Sequence, residues 1–242
     1  MIPRFYCPAL DASQGIITLP DAAAHHATRV LRLRIGDMVT LFNGDGEEWQ
    51  GSIDGIARDV TVTIKSAGTG IAEPPLQITL VQCLPSGDKM DWVVQKAVEL
   101  GVTAIQPVMS RRSVVRLEGD RARKRVVHWQ EVAISACEQC GRNTVPAVLP
   151  LMELNQYLAR EHKDDERRFL LDPVGGQRLR KMDRLSGPLA LLIGPEGGLE
   201  EGEIDVARSV GFSSLQLGPR VLRTETAGLA AVAAMMAMWG DL

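Results

Sequence analysis

The sequence predicts an α/β protein: a parallel sheet covered by helices on both faces, preceded by a smaller β domain. Three observations carry this reading. After residue 76, short apolar runs alternate with helix-length segments, the rhythm of βαβ units. Several of those runs, Leu189 to Ile193 among them, show no polar alternation, as in strands buried on both faces. The first seventy residues instead turn often, at Gly36-Asp37, Asn43-Gly44-Asp45-Gly46 and Asp54-Gly55.

In the β domain the expected strands are Met38 to Phe42, Trp49 to Ile53 and Val60 to Ile64, the last with clean period-two alternation. A short helix fits Ala22 to Leu33, with Asp21 as its N-cap. The stretch from Ser66 to Pro75 reads as a linker, loosened by glycine and serine and closed to helix by Pro74-Pro75. This divides the chain into residues 1–72 and 76–242. Ile78 to Leu84 is then a strand. Asp88 to Leu100 is a helix with Met90, Val93, Val94, Ala97 and Val98 on its apolar face and Gly101 as its stop. Ala104 to Met109 is the next strand, followed by helices over Arg121 to Cys137 and Leu151 to His162. Arg168 to Leu171, Leu189 to Ile193 and Ser214 to Leu217 complete the strands. Glu200 to Val210 and Thr224 to Trp239 complete the helices.

Composition excludes several classes. With 242 residues, 45% hydrophobic and 24% charged, this is ordinary globular material. A net charge of −3 means that any nucleic-acid surface must be a local patch. The longest apolar stretch, Ala227 to Trp239, falls short of the roughly 20 residues of a membrane span. The opening Met1-Ile2-Pro3-Arg4 lacks the apolar core of a signal peptide. A cytoplasmic protein with no membrane partner is expected. Of the four cysteines only Cys137 and Cys140 have C-x-x-C spacing, and no second pair completes a zinc site, so reduced structural thiols are expected. His25 and His26 have no Asp or Cys partner at ligand spacing, and no metal is expected.

Two loops carry the chemistry. Gly194-Pro195-Glu196-Gly197-Gly198-Leu199 follows one buried strand, and Leu217-Gly218-Pro219-Arg220-Val221-Leu222-Arg223-Thr224-Glu225 follows another. Each leads into a helix, and strand ends opening into helices are where open α/β sheets bind ligands. The first loop is neither G-x-G-x-x-G nor a P-loop, which argues against NAD and nucleoside triphosphates. Its glycines let backbone approach a bound group, although a plain tight turn would need them too. In the second loop Arg220 and Arg223 could hold a phosphate or carboxylate, Glu225 could pair with Arg223, and Thr224 is a natural N-cap. The last helix is apolar all round and must be covered on every side, and a homodimer interface is the preferred cover. Basic residues gather from Arg111 to Arg125 and around Arg29, Arg32 and Arg34, beside His25 and His26, a pattern suited to RNA phosphates.

These motifs together resemble the ribosomal RNA small subunit methyltransferase E family, SPOUT-class enzymes that methylate N3 of a uridine in 16S rRNA. The likeness runs from Ile2-Pro3-Arg4-Phe5-Tyr6 through His26, Arg29-Val30-Leu31-Arg32 and Gly36-Asp37. It continues through Lys89-Met90, Gln95-Lys96, Glu99-Leu100-Gly101 and Ala136 to Arg142. The two loops match without departure, whereas 155–186 carries little signal. The resemblance implies a PUA-like RNA-binding β-barrel at 1–72 and a SPOUT domain with a deep trefoil knot at 76–242. It also implies an obligate homodimer that binds S-adenosylmethionine and acts on 16S rRNA or the assembled small ribosomal subunit. It places the cofactor against Leu171, Asp172, Ile193, Gly194, Pro195, Glu196, Gly197, Gly198, Leu217, Gly218, Val221, Leu222 and Arg223. Arg223 then becomes the expected stabiliser of the uracil oxygens, and Glu138, Glu196 or Glu225 the proton acceptor. RNA contacts fall to Arg4, His26, Arg29, Arg32, Lys89, Arg111, Arg112 and Arg142. Two other readings stay open: a non-catalytic RNA-binding or ribosome-assembly factor that keeps the SPOUT shell, and a SPOUT methyltransferase acting on tRNA.

Overall fold

A computed structural model describes residues 2–161 and 165–242. The chain divides into two compact units, Met1–Glu73 with Ile134–Val145, and Pro74–Ala133 with Pro146–Leu242.

The first unit is built on a five-stranded sheet. Its strands are β1 (Arg4–Tyr6), β2 (Ile16–Thr18), β3 (Met38–Phe42), β4 (Glu48–Ile56) and β5 (Val60–Ala67), in the order β1-β3-β4-β5-β2. Only the β1–β3 pair is parallel. Val60 and Val62 point into a core with Phe5, Ile17, Val39, Leu41 and Ile53, while Thr61 and Thr63 are half-exposed, as period two requires. The expected helix is shorter than its sequence suggests. Helix α1 covers Asp21–His25, then widens into a π turn over His26–Val30, and Pro20 rather than Asp21 occupies the N-cap. Arg32 ends this segment at φ 55°, a left-handed conformation costly for a residue with a Cβ. Within the same unit Glu138 accepts the amide of Tyr6 at 3.0 Å, and Arg142 pairs with Glu73. The cysteines are all free. Burial pushes the Cys137 thiol up to about 12, which favours its neutral form.

The second unit holds an all-parallel main sheet. Its strands are β6 (Gln77–Cys83), β7 (Ala104–Met109), β8 (Ala147–Val148), β9 (Met152–Glu153), β10 (Arg167–Leu171), β11 (Gln177–Arg178), β12 (Pro188–Ile193) and β13 (Ser213–Gln216). The order is β11-β13-β10-β12-β6-β7-β8, with β9 beside β7. Helices α2 (Lys89–Glu99) and α6 (Thr224–Trp239) lie on one face; α4 (Leu154–Leu158) and α5 (Glu201–Ser209) lie on the other. Helix α3 spans Gly119–Cys140. The helix expected over Leu151 to His162 is only α4, and His162 lies outside the described residues.

Two glycines shape the α2 and α6 face. Gly101 ends α2 at φ +87°, where an added Cβ would come within 2.7 Å of Pro74. Gly228 in α6 leaves room for Leu80 and Ile193, so the helix lies close on β6 and β12. Leu229, Val232, Met235, Met236 and Trp239 of α6 are buried within the chain, whereas Ala230, Ala233, Ala234 and Met238 keep more exposure. Gly101→Ala should cost about 1 kcal/mol or more, because alanine meets both an unfavourable φ and a steric clash. Denaturant unfolding with an unchanged m-value would check it.

Candidate active site

The carboxyl ends of β10, β12 and β13 lie side by side, and a pocket opens there. Its wall comprises Leu171, Asp172, Pro173, Ile193, Gly194, Leu215, Gln216, Leu217, Gly218, Arg220, Val221, Leu222, Thr224 and Ala227. Leucines, Ile193 and Val221 supply apolar surface, and the ends of β10, β12 and β13 bring main chain to the pocket wall. Such a pocket can hold a flat heteroaromatic group between apolar side chains and hydrogen-bond its edge from the main chain. The Asp172 carboxylate is engaged in its own turn, accepting the amides of Val174 and Gly175 at 3.0 and 3.2 Å.

Of the residues expected at a cofactor, Leu171, Asp172, Ile193, Gly194, Leu217, Gly218, Val221 and Leu222 line this pocket. Pro195, Glu196, Gly197, Gly198 and Arg223 do not. They form its surroundings: Gly198 N–H closes a turn on the Pro195 carbonyl at 2.9 Å, and Arg112 reaches the Gly197 carbonyl at 3.0 Å. Pro173, Leu215 and Gln216 also line the pocket and lie outside the loop motifs as strand ends, whereas Thr224 belongs to the second motif but reads there only as a cap.

Thr224 corrects the expectation of an N-cap. Arg223 holds that position in extended conformation, and Thr224 is 5% exposed inside the helix. Its hydroxyl donates to the Gly194 carbonyl at 2.6 Å and accepts from Gln82 Nε2 at 3.0 Å. One hydroxyl therefore joins the ends of β6 and β12 to the start of α6.

Beside Thr224, Glu225 pairs with Lys89 at 3.0 Å, not with Arg223. Lys89 also lies 3.6 Å from Glu196, whose carboxylate accepts both the amide and the hydroxyl of Ser86 at 2.8 and 2.7 Å. Burial works to raise both carboxyls, but hydrogen bonds and the Lys89 ammonium outweigh it and hold them below the ordinary value. Lowered carboxyls stabilise the fold above their unfolded-state value, and that contribution is lost as pH falls through the folded-state value. Glu138 behaves oppositely: burial raises its carboxyl, with the Tyr6 amide only partly offsetting.

The expected RNA contacts divide by their partners. Arg4 is held by Glu48 at 2.8 Å and by Asn143, and Arg142 is buried against Glu73. His26 packs edge-on against Phe5, and Lys89 lies in the carboxylate cluster. Arg111 reaches Glu200 at 3.4 Å but stays 68% exposed. Arg29 and Arg32 are exposed, and their guanidiniums make no ion pair among the described residues. Arg223 is likewise exposed and unpaired among those residues.

This architecture, a glycine-loop pocket on a parallel sheet with a separate small β unit, is that of RNA methyltransferases. Residues 72–236 match the RNA methyltransferase domain, and residues 19–65 the RNA methyltransferase PUA domain. The ribosomal RNA small subunit methyltransferase E of Bacillus subtilis is 32% identical over 87% of this chain and 86% of its own. That of Buchnera aphidicola from Schizaphis graminum is 31% identical over 100% of this chain and 98% of its own. The crystal structure of the Neisseria gonorrhoeae enzyme of that name, bound to S-adenosyl methionine, is 43% identical. It superposes with a TM-score of 0.94 over 100% of this chain and 99% of its own. A Legionella pneumophila protein in complex with SAM is 36% identical, with a TM-score of 0.94 over all of both chains. The chain belongs to the ribosomal RNA small subunit methyltransferase E family.

Thr224→Val keeps the shape but removes the shared hydroxyl, leaving the Gly194 carbonyl and the Gln82 amide without it. The expected cost is about 1–3 kcal/mol, read from the unfolding midpoint.

Proposed function

We propose that this protein transfers a methyl group from S-adenosylmethionine to N3 of a specific uridine in 16S rRNA. The observation that carries the proposal is the pocket between the Gly194 and Leu217 loops, tied shut at one corner by Thr224. Its apolar wall suits an adenosine, and it lies in a chain that matches two SAM-bound structures end to end. The cofactor supplies a methyl carbon on a sulfonium. The protein's task is to hold the uracil in line with that carbon and to manage the N3 proton. N3 lies on the Watson–Crick edge, so the target base must be unpaired or extruded.

The roles of individual residues are part of the same proposal. Arg223, exposed and unpaired at the start of α6, stabilises the negative charge that spreads to the uracil oxygens. Glu225 and Glu138 are the candidate proton acceptors. Arg29, Arg32, Arg111 and Arg112 hold RNA phosphates, with Arg4, His26 and Arg142 supporting the first unit from within. Residues 1–72 form the RNA-binding domain, and 76–242 the knotted SPOUT domain. Two copies pair through the more exposed side of α6, an obligate homodimer that sedimentation should detect. No described helix is long and apolar enough to cross a membrane, and the reading puts the protein with cytoplasmic ribosomes.

The decisive assay is transfer from labelled S-adenosylmethionine to small subunits purified from cells lacking this activity, with naked 16S rRNA in parallel. Nuclease digestion and mass spectrometry identify the product. The expected result is 3-methyluridine at one site, and absence of methylation alongside retained cofactor binding would overturn it. Arg223→Ala should depress turnover while leaving cofactor affinity within a few fold. Arg29→Ala and Arg32→Ala should each weaken RNA binding and make its logarithmic salt dependence shallower by about one for each phosphate no longer neutralised.

A further inference from the structure

Four polar side chains stand on the wall of the pocket: Asp172, Gln216, Arg220 and Thr224. Three are engaged within the protein. Gln216 Nε2 donates to the Pro173 carbonyl at 2.9 Å, and the Thr224 hydroxyl donates to the Gly194 carbonyl at 2.6 Å. Asp172, its side chain 13% exposed, accepts the amides of Val174 and Gly175 and lies 3.5 Å from Arg208. Arg220 is the exception. Its guanidinium has no hydrogen-bond or ion-pair partner among the described residues, and it is exposed in the loop between β13 and α6. Pro219 directly precedes it and fixes the backbone there. A guanidinium offers five donors in a planar fork that matches a carboxylate.

The cofactor proposed above has two unlike ends. Its adenosine suits the apolar wall of leucines, Ile193 and Val221, whereas its methionine end carries an ammonium and a carboxylate. A carboxylate leaving water needs a charged donor, and Arg220 is the one cation among the described wall residues. Arg223, three positions on, does not line the pocket. We propose that Arg220 pairs with the methionine carboxylate of S-adenosylmethionine, so that the pocket selects ligands that keep this group. This rests on the cofactor proposed above and is independent of which base is methylated. The thioether product, S-adenosylhomocysteine, keeps the same carboxylate. Arg220 therefore holds cofactor and product alike, and contributes affinity without lowering the barrier to transfer.

The test titrates the full chain by calorimetry, without RNA, using four ligands. They are S-adenosylmethionine, S-adenosylhomocysteine, decarboxylated S-adenosylmethionine, and methylthioadenosine, which lacks the whole amino-acid tail. Wild-type protein should bind S-adenosylmethionine about 5-fold or more tightly than its decarboxylated form, the scale of an exposed charge-assisted pair. Arg220→Ala should weaken S-adenosylmethionine and S-adenosylhomocysteine by that same factor. The decarboxylated form should bind as before or better, since a like charge has been removed. Methylthioadenosine should stay within about 2-fold, because it has no carboxylate to lose. Arg220→Lys keeps the charge without the fork and should fall between wild type and alanine. In transfer assays Arg220→Ala should raise the KM for cofactor and leave kcat unchanged. Equal weakening of all four ligands in Arg220→Ala would overturn the assignment, as would unchanged affinity for S-adenosylmethionine. Were wild-type protein to bind none of the four, the cofactor reading itself would fall, a result distinct from either.

Discussion

The hydroxyl of Thr224 is the point on which the site turns. Two loops, from strands β12 and β13, must meet the first turn of α6 for the pocket to exist. Thr224 ties them together by donating to the Gly194 carbonyl at 2.6 Å and accepting from Gln82 at 3.0 Å. In a low-dielectric setting a satisfied polar bridge fixes geometry more sharply than apolar contact does. The close approach of α6 at Gly228 then sets the depth at which that hydroxyl sits.

The carboxylate cluster depends on the same placement. Once Thr224 is fixed, Glu225 must project from the first helical turn, and Lys89 at the start of α2 reaches it. Helices α2 and α6 pack together on one face of the sheet, so the ion pair rests on two rigid elements instead of on loops. That rigidity is what chemistry at a defined atom demands. Arg29, Arg32 and Arg223, which make no ion pair among the described residues, are on exposed positions, where a flexible charge can follow a flexible polyanion.

Much of this was legible in the sequence, for identifiable reasons. The strands at Met38–Phe42 and Ala104–Met109 and the helix at Thr224–Trp239 have the expected limits, because apolar runs bounded by turn residues leave few alternatives. The glycine loops pointed to the pocket because the need for close backbone approach is written locally. What failed to show was long-range. Nothing near Thr224 announces Gln82, which lies 142 residues away, and a threonine ahead of an apolar helix reads as a cap by local rules. The shortening of the first helix into a π turn, and the inclusion of Ile134–Val145 in the first unit, likewise depend on partners that spacing does not reveal.

The order of the strands also bears on how the protein reaches its working state. Strand β12 pairs with β6, more than a hundred positions earlier, and the pocket waits on β13 and α6, which follow the other described elements in the chain. Parallel pairings of this range close slowly, because chain entropy must be given up before the strands can stabilise one another. A chain whose sheet has formed but whose final helix has not docked would have most of its core and no binding site. Ligand capture therefore reports completed folding, and a ligand present during synthesis would draw late-folding molecules toward the native state by mass action.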